Sequence, residues 1–276
     1  MTTCQNKQRP LVAICLGGGG AKTFAHLGVI DALKESKIPI DFLITCSAAS
    51  TIGLLSAIGV PSMEILNEFK NGKVSMLTKR SIHKHILVKY LEQKGITDIG
   101  QVAIPISIVA VDLNCGTEKI FETGDPLMLA LASSAYPGLC KPIKYQGHSL
   151  IDGGVLNPDP ADVARKKVGS DGIVISVTLR MEFIEESPKS TLDVILKSIY
   201  LSSYKLRDDI LGKNSDIVIT PTNNLKISLN DWKKTFTGYF ISNKIDKYYQ
   251  DGYQETEKLI PKIQELLQAK KNIKDR

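Results

Sequence analysis

Leu11-Val12-Ala13-Ile14-Cys15-Leu16-Gly17-Gly18-Gly19-Gly20-Ala21-Lys22-Thr23 decides how this chain is read. The first six residues are apolar throughout, as in a strand buried on both faces. A helix-like stretch follows at 24–34. Strand, glycine row and helix make the opening unit of an alternating α/β fold. Four consecutive glycines leave a row of backbone N–H groups uncovered by side chains. A helix N-terminus adds its dipole, so the row suits negative charge. That charge is either a phosphate or an oxyanion formed only during a reaction. The nucleotide spacings do not fit. A P-loop needs glycine where Leu16 and Ala21 stand, and the dinucleotide fingerprint, started at Gly18, ends on Thr23. A tight turn without a ligand stays open, although a turn needs fewer glycines.

Outward from this unit the alternation continues. Further strands are expected at 42–45, 104–112, 119–121, 173–177 and 216–220. Helices are expected at 50–58, 62–71, 81–92, 126–134, 160–167 and 191–210, with a last one over 254–270 carrying Leu259, Ile263, Leu266 and Leu267 as one stripe. The pattern predicts a three-layer α/β/α domain with a mostly parallel central sheet. We read residues 1–276 as one domain, with a core of about 11–180 and a helical region of about 189–276 packed on it.

The composition is that of a globular chain with a real core: 276 residues, 43% hydrophobic and 23% charged. The net charge of +6 is compatible with an anionic membrane surface. No basic run or aromatic platform marks a nucleic-acid binder. Five cysteines without a C-x-x-C pair argue against a disulfide framework and for a reducing compartment, so the expected location is cytoplasmic. The uncharged run 42–60 carries too many hydroxyls and small residues for a membrane span and reads as a buried strand–turn–helix. In 225–249, Trp232, Lys233, Lys234, Phe236, Tyr239 and Phe240 mix aromatics and lysines as interfacial segments do, which gives a candidate peripheral membrane contact.

Two more segments carry chemistry. In Phe42-Leu43-Ile44-Thr45-Cys46-Ser47-Ala48-Ala49-Ser50 a strand turns straight into a helix of small residues. A serine on such a turn is lifted off the sheet. The usual spelling is Gly-x-Ser-x-Gly; here Thr45 and Ala49 replace both glycines. In Leu150-Ile151-Asp152-Gly153-Gly154 an aspartate ends a strand before a flexible turn. Alone, the serine segment reads equally well as a buried polar turn, and the aspartate segment reads first as an ordinary Asp-Gly turn.

In this order the three segments resemble the patatin-like phospholipase family, in particular its bacterial branch related to neuropathy target esterase. The likeness extends through Val111–Gly116, Ala132-Ser133-Ser134-Ala135-Tyr136-Pro137-Gly138 and Asp251-Gly252-Tyr253. The resemblance implies hydrolysis of lipid carboxyl esters, such as phospholipid or lysophospholipid, by a Ser–Asp dyad without metal or cofactor. Ser47 would be the nucleophile and Asp152 the general base. The N–H groups of Gly18, Gly19 and Gly20 would hold the oxyanion. Lys22 would hold the loop by pairing with backbone or carboxylate, and Gly153 and Gly154 would support Asp152.

No histidine follows Asp152, so it cannot belong to a triad in the order Ser, Asp, His. A triad of Ser47, Asp112 or Asp125, and His148 stays open. His26 reads as a core or capping residue. The chain departs from the family at Thr23, Thr45 and Ala49, where glycine is usual, and at Leu139-Cys140, where an aromatic is usual. A β-branched Thr23 would be strained if its site required a positive φ. A patatin-fold protein that holds lipid without turnover is therefore the second reading.

Overall fold

The computed structural model describes residues 9–71, 79–180, 182–183, 187–222, 226–227 and 244–274. Strand β1 (Val12–Leu16) lies between β2 (Phe42–Cys46) and β7 (Ile173–Val177), parallel to both. The parallel set is extended by β3 (Ile106–Asp112) beyond β2 and by β9 (Ile217–Ile219) beyond β7. Three antiparallel strands complete the sheet: β4 (Thr117–Phe121), β5 (Ile143–Tyr145) and β6 (His148–Asp152). The sheet is therefore mixed, with a parallel centre. A separate short pair joins β8 (Glu182–Phe183) to β10 (Lys226–Ile227).

Alternation along β1 builds the layers. Val12, Ile14 and Leu16 face one helical layer, whereas Ala13 and Cys15 face the other. The first layer holds α1 (Ala25–Glu35), α2 (Ala49–Ala57), α3 (Ser62–Asn71) and α4 (Lys79–Lys94). Near the antiparallel strands, α5 (Pro126–Ser133) starts on Asp125, whose carboxylate accepts the Met128 N–H at 2.9 Å. On the opposite face α6 (Ala161–Val168) and Leu211 of α7 (Thr191–Asn214) cover Ala13 and Cys15.

The register of β3 places two strand tips together. Its residues 110–112 pair with β4 on one edge and with β6 on the other. The β6 edge is also the edge that β2 occupies lower down. Cys46 of β2 pairs with Val109, and Asp152 of β6 pairs with the next residue, Ala110. Because β2 and β6 run in opposite directions, they meet tip to tip, and whatever follows Cys46 faces Asp152.

The chain's last described helices close on its first. Helix α8 (Ile245–Glu257) crosses α1 at glycines on both sides. A methyl on Gly28 would lie 2.0 Å from the Tyr249 carbonyl oxygen, and one on Gly252 would lie 2.0 Å from the Ala25 carbonyl oxygen. Tyr249 Oη donates to Asp31 at 3.0 Å and Tyr253 Oη to Glu35 at 2.5 Å, fastening the crossing.

The single C-terminal helix expected at 254–270 is in fact two, α8 and α9 (Ile260–Lys274). Pro261 cannot donate into a preceding turn but fits the first turn of a new helix, so the break falls at 258–259. The expected stripe does face the core: Ile263 is buried, and Leu259, Leu266 and Leu267 pack beside it. The run 42–60 forms β2, a turn and α2, as expected. Among the described residues no helix is long and apolar enough to cross a membrane. Trp232, Phe236 and the rest of the suggested interfacial cluster lie outside the described residues.

Candidate active site

Ser47 follows β2 directly and is separated from α2 by Ala48. Its φ is +59°, a left-handed conformation that costs a residue bearing Cβ about 1–2 kcal/mol. Such an outlier marks a turn that its surroundings hold in place. The Ser47 carbonyl accepts the Ser50 N–H at 2.9 Å, opening α2. Its Oγ points back across the strand tips and donates to Asp152 Oδ2 at 2.6 Å.

Asp152 is buried and accepts a second hydrogen bond, from the Gly154 N–H to Oδ1 at 2.8 Å. Burial pushes its carboxyl up to about 7, against the downward pull of the Ser47 hydroxyl and the Gly154 N–H. Gly153 is glycine because of close packing: a methyl there would lie 2.4 Å from the Val109 carbonyl oxygen. The Asp152 N–H donates to the Ala135 carbonyl at 3.0 Å, which ties the segment after α5 to the end of β6.

The glycine row lies against this pair. A methyl on Gly18 would stand 3.0 Å from Ser47 Cβ. Gly17 donates to the Val177 carbonyl at 3.0 Å, and its own carbonyl meets His26 Nε2 at 2.8 Å. Burial lowers His26 to about 4, so the ring is neutral at pH 7 and carries its proton on Nε2 toward that carbonyl. The expectation that Gly18 offers a free N–H needs correction, because that group donates to the Pro158 carbonyl at 2.9 Å. Among the described residues no hydrogen bond takes the N–H of Gly19 or Gly20. The row does not open directly into α1: a 3₁₀ turn over Gly20–Phe24 intervenes, and Gly20 at φ +65° makes the bend.

Charged side chains underlie the row. Lys22 Nζ donates to the Leu179 carbonyl at 3.2 Å, the backbone rather than the carboxylate alternative for it. Burial, reinforced by Arg207, holds Lys22 well below the usual ammonium range. Asp159 receives the Thr178 hydroxyl at 2.6 Å and pairs with Arg207 of α7 at 2.6 Å. A methyl on Gly17 would sit 1.7 Å from Asp159 Oδ1. No sequence pattern pointed to Asp159 or Arg207, which are 48 residues apart by number and join only through the packing of α7.

His148 and Asp112 do pair, with Nδ1 and Oδ2 2.6 Å apart. They do so four residues up β6 from Asp152, about 13 Å along the strand, while the Ser47 hydroxyl is given to Asp152. The alternative triad is not assembled.

A family model described as patatin-like phospholipase matches residues 14–165, more than half of the chain. The chain belongs to the patatin-like phospholipase family. An uncharacterised NTE family protein of Mycobacterium tuberculosis is 36% identical over 167 residues, 55% of this chain and 44% of that protein. Human patatin-like phospholipase domain-containing protein 6 is 30% identical over 191 residues, 60% of this chain and 13% of the relative. The patatin-like chain thus spans less than half the length of these relatives. Among solved structures, human GIVD cytosolic phospholipase A2 superposes with a TM-score of 0.53 at 11% identity, covering 99% of this chain and 61% of that one. VipD of Legionella pneumophila gives 0.52 at 14% identity, covering 92% and 67%. At these identities the two structures support the fold alone.

The three departures from patatin-like glycines are each accommodated. Thr23 sits in the 3₁₀ turn without a positive φ, and its hydroxyl donates to the Gly20 carbonyl at 2.5 Å. The Thr45 methyl fills the space opposite Gly53, where a Cβ would lie 2.6 Å from it. Ala49 opens α2 fully buried. Leu139 is partly exposed beside Gly138, which packs against Leu192 and Leu196 of α7.

Proposed function

We propose that this chain is a serine acyl hydrolase acting on lipid carboxyl esters. The observation that carries the reading is the 2.6 Å hydrogen bond from Ser47, held at φ +59°, to the buried Asp152. Asp152 accepts the serine proton as Oγ attacks the ester carbonyl. The oxyanion is received by the N–H groups of Gly19 and Gly20, with Gly18 keeping the row in place through Pro158. Asp152 passes its proton to the departing alcohol, then takes one from the water that attacks the acyl-serine and returns it to Ser47 Oγ as the fatty acid leaves. The similarity to a protein named lysophospholipase NTE1 in Cryptococcus neoformans, 30% identical over 179 residues, 60% of this chain and 11% of that protein, favours lysophospholipid among the candidate substrates.

The test is covalent. A fluorophosphonate probe is expected to add one phosphonyl group, mapped by peptide mass spectrometry to Ser47. No adduct, or an adduct on another residue, overturns the proposal. The pH dependence supplies a second reading. Only ionised Asp152 can take the proton, and its carboxyl stands at about 7. Labelling should therefore rise with pH through a midpoint near 7; a midpoint near 4, the ordinary carboxylate range, would exclude the buried Asp152 as the base.

A further inference from the structure

We infer that Ser133 is a positioning residue for the nucleophile, the centre of a buried hydroxyl chain that fixes the Ser47 backbone. The inference rests on the proposed hydrolase reading. Ser133 is the last residue of α5 and is fully buried. Its Oγ accepts the Ser47 N–H at 2.8 Å and the Ser50 hydroxyl at 2.9 Å, and donates to the Val109 carbonyl at 2.6 Å. One donor and two acceptors are all that a hydroxyl has, so Ser133 is saturated. Ser50 in turn lies 3.2 Å from the Thr45 hydroxyl, which also reaches the Ser107 carbonyl at 3.3 Å.

This arrangement refers Ser47 to the strand that positions Asp152. The Val109 carbonyl that takes the Ser133 proton is also the atom a methyl on Gly153 would strike, at 2.4 Å. One carbonyl of β3 therefore touches both halves of the site, through Ser133 toward Ser47 and directly at Gly153 beside Asp152. The chain also explains how the elbow works without its usual glycines. Thr45 contributes the first hydroxyl, and Ser47 keeps a left-handed backbone because its N–H has one saturated, immobile acceptor. Without Ser133 that N–H is buried and unpaired, and Ser47 relaxes toward an ordinary conformation that takes Oγ off Asp152.

The experiment compares Thr45→Val, Ser50→Ala and Ser133→Ala, with Ser134→Ala as control. Ser134 is the next hydroxyl but bonds back to the Ala130 carbonyl at 2.9 Å, outside the chain. On a short-chain aryl ester kcat should fall progressively toward Ser47, reaching about 100-fold for Ser133→Ala, as misplacement by about an ångström does. KM should stay within about twofold of wild type, and Ser134→Ala should match wild type. Because the Ser47 hydroxyl holds the Asp152 carboxyl down, its withdrawal should move the acid-side midpoint of the Ser133→Ala pH profile upward. A merely structural role would not move it. Losses that do not grow toward Ser47, or an unmoved midpoint, overturn the inference. A crystal structure of Ser133→Ala is independent of turnover: Ser47 still at positive φ and hydrogen-bonded to Asp152 also overturns it. If Ser133→Ala does not fold, the smaller graded losses of Thr45→Val and Ser50→Ala decide. A wild type inactive on every ester defeats the hydrolase reading alone, and the crystal structure then still tests the positioning.

Discussion

Asp152→Asn is expected to slow ester hydrolysis by about 10³- to 10⁴-fold, the upper range for loss of a general base, while making the protein harder to unfold above neutral pH. The two effects share one cause. Burial raises the Asp152 carboxyl to about 7, whereas in the unfolded chain it titrates near the ordinary value of about 3.9. Between those values the native state holds a proton that the unfolded state has released, so stability falls as pH rises through the window. Below about pH 4 both states are protonated and the contribution is fully present. At pH 8 the ionised, buried carboxylate costs the native state on the order of 4 kcal/mol. Asparagine is neutral throughout and keeps an oxygen for the Gly154 N–H. Guanidinium unfolding at pH 5 and pH 8 checks this. The variant should exceed wild type at pH 8 and lose that advantage toward pH 4. A wild type that instead gains stability between pH 4 and 7 through this carboxylate would contradict its buried, raised state.

Gly28→Ala should lower folding stability by about 3 kcal/mol, the upper end for an overpacked site, although Ala is the better helix former by about 1 kcal/mol. The added methyl would lie 2.0 Å from the Tyr249 carbonyl oxygen and 2.6 Å from the Tyr253 nitrogen. Both are backbone atoms, so no rotamer change relieves the clash. Helices α1 and α8 must separate, which loosens the tyrosine bonds to Asp31 and Glu35. Gly252→Ala meets the Ala25 carbonyl oxygen at 2.0 Å and should cost a similar amount. Once the helices have parted for one methyl, the second is cheaper, so the double variant should fall short of the sum. Thermal unfolding of the two single variants and the double variant measures this. Single variants within about 0.5 kcal/mol of wild type, as at ordinary surface sites, would mean that the crossing is looser than described.

The architecture was legible where periodicity and burial agree. Residues 11–16 are apolar at every position, and 42–46 at every one but Thr45, because both sheet faces are covered, and their strands were found within a residue of their ends. Ser47 and Asp152 were legible as a pair only through the family resemblance, because each turn alone was compatible with an ordinary one and local sequence does not show what brings them together. They are 105 residues apart, and they meet because Val109 and Ala110 of β3 pair with the tips of two opposed strands. A register of that kind leaves no trace in local composition. Ser133 was quoted only as part of a family-like stretch; nothing in its surroundings says that its hydroxyl reaches residue 47. The Gly18 N–H was misjudged because a glycine-rich turn shows its donors in sequence but not the acceptors, such as Pro158, that arrive from elsewhere. The break before α9 was signalled by Pro261, but the hydrophobic stripe continues past it, and periodicity alone reads through such a junction.

The α1–α8 crossing has a consequence for how the chain is made. The helix that follows the glycine row is clamped by residues numbered 218 positions later. At a synthesis rate of about 5–20 residues per second, α1 emerges roughly 10–45 s before the helix that covers it. Through that interval its close-packing face, with Gly28 at the centre, has no native partner. The packing of α1 is therefore completed only after α8 has left the ribosome.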